Sequence, residues 1–354
     1  MVTRVLVVDD SALVRSVLAT LIARAPDLRV VGTACDPYDA RERIRELEPD
    51  VLTLDVEMPR MDGLAFLERL MRLRPMPVVM VSTRTERGAA TTLRALELGA
   101  VDFVCKPEVD VRAGLELLAR EIVQKVRAAG QAKVRRRGAP PAQGPGGAVA
   151  AKSWAGAAAR SRQLVAIGAS TGGTEAIREI LQALPPQVPG VVITQHMPPG
   201  FTRSFAARLD GLCRLRVAEA RDGEPILEGH AYVAPGGRHL SVVRAGGGYL
   251  ARVSEGEPVQ GHQPSVEVLF RSVAAAAGPH ATGIMLTGMG GDGALAMREM
   301  RERGAWNLVQ DEASCVVFGM PREAIAQGAA DEVLPLARIA PRLLTHLAAR
   351  RQPA

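Results

Sequence analysis

The feature that most constrains the fold is a repeated alternation of short, continuously apolar runs with segments of helical periodicity. Five such runs occur within residues 1–128: RVLVV, LRVVG, VLTLD, PVVMV and AVDFV. Apolar runs without polar alternation are typical of parallel strands that helices cover on both faces. We therefore predict that residues 1–128 form a doubly wound α/β domain.

Composition changes sharply after this domain. Residues 129–161 are rich in Gly, Ala, Pro and Arg and hold few large apolar side chains, so they cannot bury enough surface to offset the entropy of ordering. We predict a flexible basic linker there. The alternation then resumes with LVAIG, GVVITQ, HAYVAP, GIMLTG and WNLVQ, which predicts a second doubly wound, parallel-sheet α/β domain over residues 162–350.

The net charge of +6 is confined to one segment. Residues 120–162 hold ten of the 44 basic residues and one of the 38 acidic ones, so the remainder carries 34 basic and 37 acidic side chains. This distribution argues against a basic face that binds nucleic acid. No apolar stretch is long enough to span a bilayer, and the four cysteines lack paired spacing. We predict a cytoplasmic protein without membrane insertion.

Polar side chains stand at the ends of the predicted strands of the first domain. Asp9 and Asp10 end the first strand and Asp55 ends the third, while Ser82 and Lys106 follow the fourth and fifth. All would meet at one carboxyl edge of a parallel sheet, where crowded carboxylates favour a hard cation such as Mg²⁺. Asp55 is then placed to attack a phosphoryl donor. The other interpretation is that the aspartates cap helices.

The segments VLVVDDSALVRSVL, PDVLTLDVEMPRMDGLAFLERLM, VMVS and GAVDFVCKP resemble a response-regulator receiver domain, which has a flavodoxin-like fold. The resemblance implies phosphorylation of Asp55 by a histidine kinase. It also implies a Mg²⁺ site and a set of switch residues. The metal ligands would be Asp9, Asp10, Asp55 and the backbone carbonyl of Glu57, and the switch residues would be Ser82, Phe103 and Lys106.

A glycine-rich turn opens the second domain. Residues 168–173 read Gly-Ala-Ser-Thr-Gly-Gly, which matches neither the dinucleotide-binding pattern nor the P-loop but does match G-x-S-x-G. Such a strand-to-helix turn exposes a serine hydroxyl near backbone N–H groups that can bind an oxyanion. Ser170 is therefore a candidate nucleophile. The alternative is that Ser170 only caps the following helix.

A nucleophilic serine needs a base and an acid that orients the base. His196 follows the strand GVVITQ, and Asp292 lies in the loop after GIMLTG, so both would project from the same sheet edge as Ser170. The order Ser, His, Asp differs from that of α/β-hydrolases and indicates another fold with the same chemistry. His239 remains a competing base and Asp222 a competing acid.

The motifs IGASTGG, TQHMPPGFTRSFAARLD, AYVAPGGRHL, HQPSVEVLF, LTGMGGDG and QDEASCVVFGMPREAI resemble the catalytic domain of chemotaxis protein-glutamate methylesterases, which is Rossmann-like. The resemblance implies Ser170 as nucleophile, His196 as base and Asp292 as orienter, with backbone N–H groups of Thr171 and Met289 at the oxyanion. It further implies hydrolysis of glutamate methyl esters on the cytoplasmic helices of chemoreceptors, with methanol released and without a cofactor, and deamidation of receptor glutamines.

Two other functions remain open at this point. The arginine-rich linker is compatible with a receiver-controlled DNA-binding regulator, although no helix-turn-helix pattern follows it. A hydrolase with the same triad but a different ester substrate is the second.

Overall fold

The computed structural model describes residues 2–58, 61–83, 85–106, 112–132 and 161–351. The chain divides into two compact units, Met1–Ala142 and Gln143–Ala354. Most of the predicted linker, residues 133–160, lies outside the described residues.

The first unit contains a five-stranded sheet in which every pairing between neighbouring strands is parallel. Its order, β2-β1-β3-β4-β5, is that of a flavodoxin-like doubly wound fold, as predicted. The strands are β1 (Thr3–Val8), β2 (Leu28–Ala34), β3 (Val51–Asp55), β4 (Val78–Ser82) and β5 (Asp102–Cys105). The three central strands are buried almost throughout, which explains their uninterrupted apolar runs.

Five helices accompany this sheet in the described part of the unit. They are α1 (Ala12–Ala23), α2 (Pro37–Leu47), α3 (Gly63–Leu73), α4 (Glu86–Leu98) and α5 (Arg112–Gln131). Helix α5 continues past the predicted domain boundary at residue 128. The physical reason is packing, because Ala128 and Ala129 are fully buried and Gly130 lies against Thr3, where an added Cβ would come within 2.9 Å of its Cγ2.

The second unit is built on a seven-stranded sheet in the order β15-β14-β13-β6-β7-β10-β8, again with parallel pairings throughout. Its strands and those of a smaller sheet are β6 (Leu164–Ala169), β7 (Gly190–Gln195), β8 (Arg216–Glu219), β9 (Pro225–Ile226), β10 (His230–Val233), β11 (His239–Ala245), β12 (Gly248–Ser254), β13 (Ala281–Met285), β14 (Trp306–Gln310) and β15 (Glu332–Leu334). The predicted second doubly wound domain is confirmed.

The direction in which this sheet grows reverses beside β6. The chain places β7 on one side of β6 and later returns to place β13 on the other side. A reversal of this kind leaves a crevice at the carboxyl ends of the central strands, where ligands of open α/β sheets bind. The loops after β6, β7 and β13 carry the predicted triad to this crevice.

A three-stranded antiparallel sheet, ordered β11-β12-β9, was absent from the prediction. Strands β11 and β12 form a hairpin from His239↔Ser254 to Ala245↔Gly248, joined by Gly246 and Gly247 at positive φ. Two adjacent glycines between runs in which apolar and polar residues alternate are typical of a β-hairpin, so the sequence contained a signal for it.

The remaining helices lie in the second unit: α6 (Gly173–Ala183), α7 (Phe201–Leu212), α8 (Val266–Ala277), α9 (Ala294–Glu302), α10 (Met320–Ala326) and α11 (Leu336–Arg351), with a short 3₁₀ turn at Gly278–His280. None of the described helices of either unit combines the length and apolarity that a bilayer crossing requires.

Candidate active site and acidic pocket

Ser170 occupies the first position after β6 and is held by its backbone. Its N–H donates to the Thr287 carbonyl at 3.0 Å, and its carbonyl accepts from the Gly173 N–H at 2.7 Å. Helix α6 begins at Gly173 with Gly172 as N-cap and without a side-chain cap. Ser170 therefore does not cap this helix, and its hydroxyl stays available for chemistry.

Two glycines are required for this turn by their surroundings. Gly172 has φ +78°, and a Cβ there would lie 2.7 Å from the side chain of Val316. A Cβ on Gly288 would lie 2.7 Å from the Ser170 Cβ. The loop after β13 therefore reaches Ser170 only because it carries glycine at that point.

His196 is brought beside Ser170 by the register of two parallel strands. Ala169 pairs with Gln195 at the ends of β6 and β7, so the next residues on each strand are Ser170 and His196. The His196 N–H donates to the Ala169 carbonyl at 3.2 Å, and the Gln195 side chain donates from Nε2 to the Ser170 carbonyl at 2.9 Å. Gln195, which the sequence reasoning missed, thus joins the two segments.

The orientation of the His196 ring identifies its basic nitrogen. Nε2 lies 2.8 Å from Asp292 Oδ2, whereas Nδ1 is buried and has no hydrogen-bond partner among the described residues. A carboxylate only accepts, so Nε2 carries the proton in the neutral ring and Nδ1 keeps the lone pair. The usual serine-hydrolase triad uses these nitrogens in the reverse sense.

Asp292 is held at the amino end of α8. Its Oδ1 accepts from Ser265 Oγ at 2.8 Å and from the Glu267 N–H at 3.2 Å, and its Oδ2 accepts from the Val266 N–H at 2.7 Å. Burial by itself raises the pKa of Asp292, but the His196 contact and these hydrogen bonds outweigh burial and lower it overall. Asp292 is therefore ionised and able to stabilise a positive His196 ring.

Both competing triad candidates have structural roles instead. His239 is buried, its Nε2 donates to the Glu257 carbonyl at 3.0 Å, and its Nδ1 accepts from the Ser265 N–H at 3.3 Å. No lone pair of this ring is left to accept a serine proton. Asp222 binds the Val253 N–H at 3.0 Å and pairs with Arg252 at 3.5 Å, so it serves the turn before β9.

The two predicted oxyanion residues each adjoin a residue that lies at the Ser170 turn. Thr171 follows Ser170, and its carbonyl accepts from Thr287 Oγ1 at 3.0 Å. Met289 follows Gly288, the residue that packs against Ser170.

Thr287 was another residue missed by the sequence reasoning, as was Ser265, although Ser265 in PSVEVLF has the pattern of a helix N-cap.

The acidic pocket of the first unit brings three predicted aspartates together. Oxygen atoms of Asp9, Asp10 and Asp55 lie within 4.8 Å of one another. Lys106 Nζ lies 2.8 Å from Asp55 Oδ2 and 3.4 Å from Asp9 Oδ2. The cap of α1 is Ser11, and Asp9 and Asp55 instead accept from the N–H groups of Ser11 and Glu57 within their own turns. The interpretation of these aspartates as helix N-caps is therefore wrong.

A bound cation would stabilise the ionised form of the carboxylates in this pocket. Burial, reinforced by the nearby Asp9 charge, raises the pKa of Asp55 to about 6 even though Lys106 opposes the shift. Burial likewise raises the pKa of Asp9. The Oδ2 atoms of both side chains are buried and face the Lys106 ammonium, and a group of carboxylate oxygens of this kind suits Mg²⁺. Glu57, whose carbonyl is the predicted fourth ligand, follows Asp55 at the exposed rim.

Two of the predicted switch residues, Ser82 and Phe103, are buried, whereas the Lys106 side chain is 20% exposed. The Ser82 hydroxyl donates to the carbonyls of Thr83 and Gly88, each at 3.3 Å. Phe103 is 2% exposed, and Lys125 of α5 lies 4.8 Å above its ring and donates to its carbonyl at 2.5 Å. The contact of Lys125 with Phe103 could not be predicted from the sequence, because it depends on how α5 packs on β5.

We expect acetyl phosphate to label Asp55 in the presence of Mg²⁺ and at least about tenfold more slowly in excess chelator. The reason is that Asp9 and Asp10 repel an incoming phosphate unless a cation shields them. Intact-mass spectrometry measures the labelling, with Asp55→Asn as the blank. Equal labelling with and without chelator would contradict the proposed pocket.

Comparisons with known proteins identify the family of each unit. Residues 165–343 match the family model described as CheB methylesterase, and residues 5–118 match that of the response regulator receiver domain. The chain is 64% identical over 349 residues to protein-glutamate methylesterase/protein-glutamine glutaminase 1 of Albidiferax ferrireducens, covering 97% of this chain and 94% of the relative. It is 56% identical over 343 residues to protein-glutamate methylesterase/protein-glutamine glutaminase of Nitrosomonas europaea, covering 97% of this chain and 96% of that relative.

The second unit also resembles a solved structure, the CheB methylesterase catalytic domain of Thermotoga maritima. The match has 37% sequence identity and a TM-score of 0.51, and it covers 52% of this chain and 99% of that domain.

Proposed function

The chain belongs to the CheB methylesterase family, and on that basis we propose that it hydrolyses glutamate methyl esters on chemoreceptors, releases methanol, and is regulated by phosphorylation of its receiver domain. The surroundings of the two His196 ring nitrogens support the roles proposed for the individual residues. Asp292 contacts one nitrogen of that ring, and the other is buried, without a hydrogen-bond partner in the part of the chain that the structure describes, at the end of the strand beside Ser170.

In the first half of the reaction, Ser170 Oγ attacks the ester carbonyl while His196 Nδ1 takes the hydroxyl proton. Asp292 stabilises the resulting imidazolium through Nε2. The backbone N–H groups of Thr171 and Met289 are the proposed donors to the tetrahedral oxyanion. Collapse breaks the bond to the methoxy group, which leaves as methanol with the proton from Nδ1.

In the second half, water attacks the glutamyl ester on Ser170. His196 Nδ1 removes a proton from that water and then returns it to Ser170 Oγ as the glutamate leaves. The same acyl-enzyme forms from a glutamine side chain when ammonia is the leaving group. The curated relatives are named for both activities, which supports glutamine deamidation as the second activity of this chain.

In the receiver, the Asp55 carboxylate attacks the phosphorus of a phosphohistidine on a histidine kinase, and the nitrogen–phosphorus bond breaks as the oxygen–phosphorus bond forms. Asp9, Asp10, Asp55 and the Glu57 carbonyl would hold Mg²⁺, which supplies neutralisation of phosphoryl charge. Lys106 contacts Asp55 and contributes positive charge beside it. We expect the Ser82 hydroxyl to leave its backbone carbonyls and bind a phosphoryl oxygen.

The proposed partners are methylated cytoplasmic helices of chemoreceptors and the kinase that phosphorylates Asp55. The DNA-binding alternative loses its support, because the methylesterase model covers residues 165–343 and thus most of the second unit. A methyl-esterified glutamate side chain is also the substrate that the names of the relatives specify, which favours it over an unrelated ester.

The direct test is methanol release from receptor-containing membranes whose glutamates carry radiolabelled methyl groups. We expect the full chain to release labelled methanol, and to release it faster after phosphorylation with acetyl phosphate and Mg²⁺. Membranes with unmethylated receptors serve as the blank. Failure to release methanol before and after phosphorylation would contradict the proposed function.

A further inference from the structure

A second histidine lies face to face with the proposed base. The rings of His196 and His262 are parallel within 9°, and their centroids are 3.7 Å apart. Contact through the faces leaves the ring edges clear. The stacking therefore leaves the hydrogen bond from Nε2 to Asp292 in place and does not cover Nδ1.

The hydrogen bonds of His196 do not by themselves restrain one rotation of its ring. The hydrogen bond from Nε2 to Asp292 Oδ2 fixes a point on the ring edge, and the backbone bond to the Ala169 carbonyl fixes the main chain. A ring attached to Cβ at Cγ and hydrogen-bonded at Nε2 can still turn about the axis through these two atoms, and this rotation moves Nδ1 relative to Ser170 Oγ. A flat group stacked on the ring face opposes this rotation.

Backbone hydrogen bonds fix the position of His262. His262 and Val259 exchange two backbone hydrogen bonds, of 3.0 and 3.1 Å, across a two-residue turn. Gln260 and Gly261 both have positive φ, at 51° and 81°, as tight hairpin turns require. Gln263 adds a bond from its Nε2 to the Gly256 carbonyl at 2.7 Å. Three residues after His262, Ser265 binds Asp292, so one loop contacts two members of the triad.

We propose that His262 is a positioning residue that holds the plane of the His196 ring so that Nδ1 faces the Ser170 hydroxyl. The proposal rests on the proposed function, since it assigns His196 as the base. The required property is a flat ring in the stacking position rather than a second proton acceptor. A phenyl ring is therefore expected to replace the imidazole, whereas a methyl group is not.

The test uses three variants of the full chain: His262→Ala, His262→Phe and His346→Ala. The last is the matched control, because His346 is also half-buried and stacked, at 3.9 Å and 9°, but on Trp306 and away from the triad. Two rates are measured for each variant. One is methanol release, separated into kcat and KM, and the other is covalent labelling of Ser170 by a fluorophosphonate, which reports serine activation without a receptor substrate.

We expect His262→Ala to lower kcat and the labelling rate together by about 10- to 100-fold with little change in KM, because a misplaced base costs rate rather than binding. His262→Phe and His346→Ala are expected to stay within about threefold of the unmodified chain. The proposal is overturned if His262→Ala keeps its labelling rate, if His262→Phe falls as far as His262→Ala, or if His346→Ala falls equally. If the unmodified chain labels at Ser170 but releases no methanol, the proposed substrate fails while the labelling series still tests His262.

Discussion

Ser170→Ala is expected to lower methyl-ester hydrolysis by at least about 10³-fold, because it removes the only atom that can form the acyl-enzyme in the proposed mechanism. Phosphorylation of Asp55 is expected to be unchanged, since Ser170 and Asp55 belong to separate compact units. The measurements are methanol release from methylated receptor membranes and acetyl-phosphate labelling followed by intact mass.

Ser241→Ala is the matched control for this variant. Ser241 lies on β11. Among the described residues, the hydrogen bond of its hydroxyl is a long one, 3.5 Å, to the Arg252 carbonyl. We expect Ser241→Ala to retain nearly full activity. Turnover by Ser170→Ala at a rate close to that of Ser241→Ala would remove Ser170 from the role of nucleophile.

His196→Ala is expected to be nearly as damaging as Ser170→Ala, because the serine proton then has no acceptor and Asp292 has no ring to stabilise. Asp292→Ala is expected to retain more activity than either, since the base itself remains. The measured quantities are kcat for methanol release and the rate of fluorophosphonate labelling at Ser170.

His239→Ala discriminates the two candidate bases. It removes a buried ring that bonds the Glu257 carbonyl and the Ser265 N–H, so we expect a loss of unfolding free energy of about 1 to 3 kcal/mol. Thermal and urea unfolding measure this loss. Its kcat is expected to stay well above that of His196→Ala. A lower kcat for His239→Ala in a fully folded protein would assign the base to His239.

Much of the acidic pocket could be predicted from the sequence because each of its members ends a strand. Parallel strands in one sheet all end at the same edge, so Asp9, Asp55 and Lys106 had to converge once the five strands were identified. The same rule brought together Ser170 and His196, which follow neighbouring strands. Asp292 follows the strand on the other side of β6, and its position was predicted on the same ground.

The surroundings of the triad could not be predicted in this way. The donors to Asp292 come from Ser265, Val266 and Glu267 at the start of α8, which precede it by more than twenty residues, whereas Asp292 lies in the loop before α9. Their approach depends on close packing, since a Cβ on Gly293 would lie 2.3 Å from a methyl group of Val266. No periodicity in the chain encodes that contact.

The sequence by itself determined the two α/β units, the sheet edge that carries the chemistry and the residues that stand there, because strand periodicity and strand-end position are local properties. Only the tertiary structure decided which nitrogen of His196 contacts Asp292, that the His239 ring accepts a hydrogen bond from the Ser265 N–H, and that His262 stacks on the proposed base. These outcomes depend on distances of a few ångströms between segments far apart in the chain. Such distances are set by side-chain packing across the whole domain, which local pattern does not specify.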